Sequence, residues 1–269
     1  MNTITADRAV PRRSLLSISK LHAFLIHLSA SALVVGTLCA IIFFLWYPTP
    51  YFTAKGTSGV LGILIGVDLI VGPILTLILF RPHKPGLVFD LSVIATIQLA
   101  ALVYGTVTVY QERPYYSVFA VDRFQILAYK DVDSSMIEHE ELRQKRFVGP
   151  ILVVANLPED QIEFQRLLQE TVFEGKPDIE RRPEYWSPYA NRSAEVLARA
   201  KSLARLFDRK PEARAEISRL AENLNSDIGN LAYLPLIGRD TSFAFIIDAG
   251  TATPVGIINV DPWDDEGGS

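Results

Sequence analysis

The stretch Gly66-Val67-Asp68-Leu69-Ile70-Val71-Gly72-Pro73-Ile74-Leu75-Thr76-Leu77-Ile78-Leu79-Phe80 decides how this chain is read. It closes an apolar run that starts at Val60 and holds a single acid, Asp68. At 1.5 Å of rise per residue the run spans roughly 31 Å, about the thickness of a bilayer's hydrocarbon core. It therefore reads as a transmembrane helix over about 60–80. An ionised carboxylate near the middle of such a helix costs at least about 2.5–3.5 kcal/mol on insertion scales, so Asp68 is expected to face protein or water, never lipid. One turn beyond it, Gly72-Pro73 removes an N–H, frees a backbone carbonyl and is expected to kink the helix.

Working outward, two more runs have spanning length. Leu21 to Ala54 contains no Lys, Arg, Asp or Glu, and its core gives a first span over about 24–47. A cleaved signal peptide fits less well, because apolar sequence continues far past the small-residue pattern Ala30-Ser31-Ala32. The third span covers about 87–110, with Asp90 near its start and Gln98 near its middle. Asp90 at a helix start complements the macrodipole and can reach the interface. Asp68 and Gln98 differ in depth by only about 6 Å, so an acid and an amide can meet between spans and pin two helices together. Asp68, Gln98, Gly72 and Pro73 are the candidate partner-binding site.

Five residues are placed at the membrane–water boundary. Trp46, Tyr47 and Tyr51 lie in an aromatic cluster that Pro48 and Pro50 terminate, and Arg81 and Lys84 lie in the turn between the second and third spans. Basic residues number four before the first span, one between the first two and two between the last two. The positive-inside rule then puts the leader 1–20 and the Arg81–Lys84 turn in the cytoplasm, and everything after Tyr110 outside.

Charge divides the 269 residues the same way. Residues 1–110 hold 7 Lys and Arg against 3 Asp and Glu, and the remainder 19 against 27. The acidic back portion offers no basic stripe for nucleic acid. Residues 111–260 are long enough for one α+β domain, followed by an acidic tail over 261–269. Strands are expected at Val118–Ala128, Ile151–Ala155, Leu231–Ile237, Thr241–Ile247 and Pro254–Val260. Helices are expected at Glu138–Phe147, after Pro158-Glu159-Asp160, at Asn191–Phe207 and at Pro211–Leu224. Residues Gly175 to Tyr189, with three prolines, read as a structured loop. The fold class is thus an α-helical bundle of three transmembrane helices followed by an α+β soluble domain.

No residue set recommends catalysis. The domain after Tyr110 has no cysteine and one histidine, His139, inside the charged run Glu138-His139-Glu140-Glu141, so neither a nucleophile–base pair nor an ordinary zinc site can be drawn. The only cysteine, Cys39, falls inside the first span. The tail acids lack the spacing of a calcium loop, and no phosphate-binding glycine loop is present. No cofactor, metal or catalytic residue is assigned.

Several motifs, taken together, resemble the type IV pilin accessory proteins of the bacterial inner membrane. They are Tyr47-Pro48-x-Pro50-Tyr51-Phe52, the run Gly66 to Ile78, Lys84-Pro85-Gly86-Leu87-x-Phe89-Asp90-Leu91, and Gln98-Leu99-Ala100-Ala101-Leu102-x-Tyr104-Gly105. The Arg113-Pro114 exit, Asp122-Arg123-Phe124 and Asp261-Pro262-Trp263 extend the likeness. The resemblance implies a non-enzymatic helper of pilus assembly whose partner is pilin, a protein with a long N-terminal helix, a buried glutamate and a periplasmic head. A three-span bundle carrying Asp68 and Gln98 is then expected to hold the pilin helix. A membrane-anchored periplasmic ligand sensor is the alternative, although little sequence faces inward to give an output. A pilin-modifying membrane enzyme ranks third.

Overall fold

The three apolar runs become three long helices in the computed structural model, which describes residues 18–48, 51–144, 146–239 and 241–263. Residues 1–17 of the expected leader and 264–269 of the expected tail lie outside them. The first helix, α1, runs Lys20–Ile41 and continues as a π-helical turn over Ile42–Trp46. A short α2, Tyr51–Ala54, fills the connection to α3, Ser58–Ile65. A π-helical segment, Gly66–Val71, joins α3 to α4, Gly72–Leu79. The third long helix is α5, Leu87–Gln111. The segments Lys20–Trp46, Ser58–Leu79 and Leu87–Gln111 are each long and apolar enough to cross a membrane. Between α4 and α5 the turn takes Gly86 to φ +81°, a conformation in which a Cβ is strained.

The described chain divides into two units. One takes in the chain up to Leu38 together with Leu61–Thr106; the other takes in Cys39–Val60 and the chain from Val107 onward. The aromatic connection after the first span therefore belongs with the sheet.

The sheet unit is α+β. Its strands are β1 (Tyr116–Ala120), β2 (Arg123–Leu127), β3 (Ile151–Ala155), β4 (Trp186–Pro188), β5 (Lys201–Ser202), β6 (Leu231–Ile237), β7 (Ser242–Asp248) and β8 (Pro254–Ile258). They form one mixed sheet ordered β4-β3-β1-β2-β6-β7-β8, with β5 also paired to β6. The β1–β3 and β2–β6 pairs are parallel and the others antiparallel. The helices are α6 (Gln161–Phe173), α7 (Tyr189–Arg199), α8 (Leu203–Arg209) and α9 (Ala213–Leu224).

Alternation along the strands assigns every apolar side chain to a face. Phe119, Phe124, Leu234 and Phe245 point to one face, where Val196 of α7 covers them. Tyr116, Val118 and Val153 point to the other, under Leu167 of α6 and Trp186. Tyr233 and Ile246 share that second face farther along, under Leu206 of α8 and Ile217 of α9. Each fully buried side chain of this size contributes roughly 1.5–3 kcal/mol. Exposed ion pairs such as Arg166–Glu163 are screened by water and contribute little. Burial on both sheet faces is what holds this unit together.

Four expected elements differ from what forms; within the expected loop Gly175 to Tyr189, Trp186–Pro188 is strand β4, paired with β3. Val118–Ala128 is not one strand but the hairpin β1–β2, reversed at Val121 and Asp122, with Val121 at φ +60°. Glu138–Phe147 is not a helix: only a 3-10 turn, Glu140–Arg143, forms, because Leu142 is the one apolar anchor it buries. Asn191–Phe207 is two helices, not one. The chain passes from one sheet face to the other between Val196 and Leu203, and Ala200–Ser202 must be extended to do so, pairing Lys201 with Tyr233.

The connection before the second span is built into the sheet unit. Ala54 is fully buried in the cluster around Phe124 and Phe245, and Tyr51 packs against it. The Ala54 carbonyl accepts from the Arg239 N–H at 2.8 Å. Gly238 permits this approach, since a Cβ there would lie 2.8 Å from the Ala54 oxygen and 2.6 Å from that of Thr241.

Candidate functional site

The local geometry of the second span follows from Pro73. Proline cannot donate to a carbonyl on the preceding turn, and the ladder answers by widening. Over Gly66–Val71 the hydrogen bonds take π spacing, and the Gly72 N–H closes on the carbonyl of Val67, five residues back. Asp68 lies inside this wide turn and is 5% exposed. The interruption expected at Gly72-Pro73 thus takes the form of a π-helical turn just before it.

The structure brings Asp68, Gln98 and Gly72 together. Gln98 Nε2 donates to the Asp68 carbonyl oxygen and to Asp68 Oδ1, both at 3.4 Å. Gln98 reaches across because Gly72 has no side chain. These bonds are long, and they leave Asp68 Oδ2 and Gln98 Oε1 buried with no partner among the described residues. Both orphan atoms are oxygens, and in hydrocarbon each unmet acceptor costs several kcal/mol. The site is short of hydrogen-bond donors.

A second polar pair lies about two turns beyond Asp68. His27 Nδ1 and Thr76 Oγ1 are 2.6 Å apart, and Thr76 is buried. Sequence reasoning passed over His27. The signal was there: it interrupts a stretch that has no charged residue from Leu21 to Ala54.

The five boundary residues separate into two kinds. Trp46 meets Tyr110 edge-on with ring centroids 5.0 Å apart, and Arg113 lies 3.9 Å from the Tyr110 ring centre. Tyr47, by contrast, is wholly buried, and its hydroxyl donates to the Val109 carbonyl at 2.8 Å. Burial pushes the Tyr51 phenol up to about 12. The Tyr47 ring is inside protein, and the half-buried Tyr51 ring packs against the cluster around Phe124 and Phe245. Arg81 is exposed, and Lys84 pairs with Asp90 at 2.5 Å, tying the turn to the start of α5. His139 precedes the 3-10 turn Glu140–Arg143. Asp261-Pro262-Trp263 returns to the sheet, where the Trp263 Nε1 donates to Ser242 Oγ at 2.9 Å and Arg123 and Lys201 lie over its ring.

The family model described as Fimbrial assembly protein FimB matches residues 16–56. The fimbrial assembly protein of serogroup I from Dichelobacter nodosus is 30% identical over 237 residues, spanning 86% of this chain and 90% of the relative. The serogroup E1 protein of the same organism is 30% identical over 229 residues, 83% of this chain and 88% of the relative. The protein of serogroups C1 and C2 is 39% identical over 117 residues, 43% of this chain and 86% of the relative. No solved structure matches. The chain belongs to the fimbrial assembly protein family, the type IV pilin accessory proteins.

Proposed function

We propose that this protein is a non-enzymatic accessory of type IV pilus assembly that holds pilin in the bacterial inner membrane before polymerisation. The relatives' name, fimbrial assembly protein, supports the role in assembly. The observation that carries the finer reading is the pair of orphaned acceptors, Asp68 Oδ2 and Gln98 Oε1, buried between helices of membrane-spanning length. A structural pin between two helices would satisfy its own polar atoms. This one leaves two oxygens waiting for donors. A partner helix that brings a donor, such as a protonated carboxyl, relieves that cost on docking.

In this reading the N-terminus and the Arg81–Lys84 turn are cytoplasmic and the sheet domain is periplasmic, where it meets the pilin head. The function requires no cofactor. Replacing Asp68 and Gln98 with leucine in a correctly inserted protein is expected to lower pilin levels and surface piliation. Unchanged piliation in those variants would show that the polar site does not serve the partner.

A further inference from the structure

The sheet unit contains a cleft of about 410 Å³. Lys55, Arg181 and Arg239 line it, with Glu112 and Asp131 among them. Each acid is engaged through one carboxylate oxygen: Glu112 Oε1 pairs with Lys130, and Asp131 Oδ2 accepts the Ala128 N–H at 2.8 Å. Among the described residues, none of Lys55, Arg181 and Arg239 forms a salt bridge. Lys55 is half-buried, and burial holds its ammonium below the ordinary lysine range, with Asp131 and Glu112 opposing and Lys130 and Arg181 adding to the depression. A cleft with three uncommitted cations calls for an anion, and arginine offers a fork that matches phosphate oxygens.

Position in the chain narrows the anion's source. Lys55 precedes the second span by three residues, and Glu112 directly follows the third. Val60, in the first turn of one span, and Val109, in the last turn of the other, complete the wall. If these helices cross a bilayer, the cleft sits in the headgroup layer, which is roughly 5–8 Å deep on each side of the hydrocarbon. The mixed lining also suits a ligand carrying both charges.

We propose that this cleft binds the headgroup of a zwitterionic aminophospholipid, its phosphate on Lys55, Arg181 and Arg239 and its ammonium toward Glu112 and Asp131. The inference rests on the three helices spanning the membrane and is independent of pilin binding. A bound lipid there would tie the sheet unit to the membrane surface.

Native mass spectrometry on the full chain in detergent, titrated with phosphatidylethanolamine, tests it. The expected result is one tightly retained phosphatidylethanolamine, held in preference to phosphatidylglycerol. Lys55→Ala with Arg239→Ala should weaken retention about tenfold or more, the loss expected for a charge-assisted hydrogen bond, while Lys55→Arg retains it. Thermal unfolding confirms that each variant is folded. Should the double variant not fold, Arg181→Gln on the exposed rim gives the same reading. Undiminished retention in a folded variant would overturn the proposal. So would displacement of all lipid by inorganic phosphate at low concentration, which would mark the cleft as a small-anion site. Neither outcome bears on whether pilin binds at Asp68.

Discussion

The side-chain amide of Gln98 occupies the space that a side chain on Gly72 would need: its Nε2 lies 2.0 Å from where a Cβ would stand. No heavier residue fits at 72 while Gln98 reaches Asp68. Gly72→Ala is therefore expected to expel the amide and cost about 1–3 kcal/mol, the range for overpacking. Thermal unfolding in detergent measures it. A second substitution, Gln98→Ala, should recover most of the loss, because the two sites are in contact and their effects are not additive.

Asp68→Leu separates stability from function. It removes Oδ2, which has no partner among the described residues, together with Oδ1, whose donor Gln98 Nε2 keeps the Asp68 carbonyl oxygen as an acceptor. Replacing such a group with an apolar one of similar size is neutral or stabilising by about 1–3 kcal/mol. The expected result is an unfolding temperature equal to or above that of the parent, together with reduced piliation. A fall in stability would mark Asp68 as a structural pin.

The anchor of the aromatic connection is tested at Gly238. A Cβ there would meet the carbonyls of Thr241 and Ala54 and the ring of Phe243, all within 2.8 Å. Gly238→Ala is expected to destabilise the sheet unit by about 1–3 kcal/mol. It should also loosen Ala54 from its core, which faster amide exchange at Arg239, the donor to the Ala54 carbonyl, would report. Unchanged exchange would show that the loop is held elsewhere.

Arg182 makes stability depend on acid. It is 6% exposed and bonds Glu170 at 2.6 Å, the Pro177 carbonyl at 2.7 Å and Thr171 at 3.2 Å. Arg182, followed by Lys176, holds the Glu170 carboxyl below its usual value of 4.5. A depressed carboxylate lends stability that is fully present above 4.5 and is lost as pH falls through the folded-state value. Glu170→Gln should flatten this acid limb of the stability–pH profile. It should also lower stability at neutral pH, because the buried guanidinium then lacks a counter-charge. Parallel profiles for parent and variant would count against the pair.

What could be read from the residues, and what could not, has a common cause. Ile151–Ala155 is a short apolar run that has to be buried on both sides, and β3 has those bounds. The three helices were legible because length and apolarity suffice for them. The break at Ala200 was not, since Val196, Leu197, Leu203 and Phe207 keep a helical period across it. Only the free edge of β6, paired by Lys201 and Ser202, imposes the extended residues. The hairpin at Val121 was hidden for a similar reason: a β-branched residue at positive φ has no turn signature. At the candidate site the acid and the amide were visible as polar residues in apolar runs. That Gly72 makes room for one to reach the other depends on two helices facing each other, which no local pattern records.

On the proposed function the polar site receives the pilin helix. A photoreactive residue at exposed Leu75, or at Leu69 beside Asp68, tests it most directly in membranes that contain the pilin. The expected result is a specific adduct with pilin that Asp68→Leu and Gln98→Leu diminish. No adduct, with the protein inserted and pilin abundant, would contradict it. The contact would then have to be sought on the sheet unit, where α6 exposes Ile162, Leu168, Val172 and Phe173.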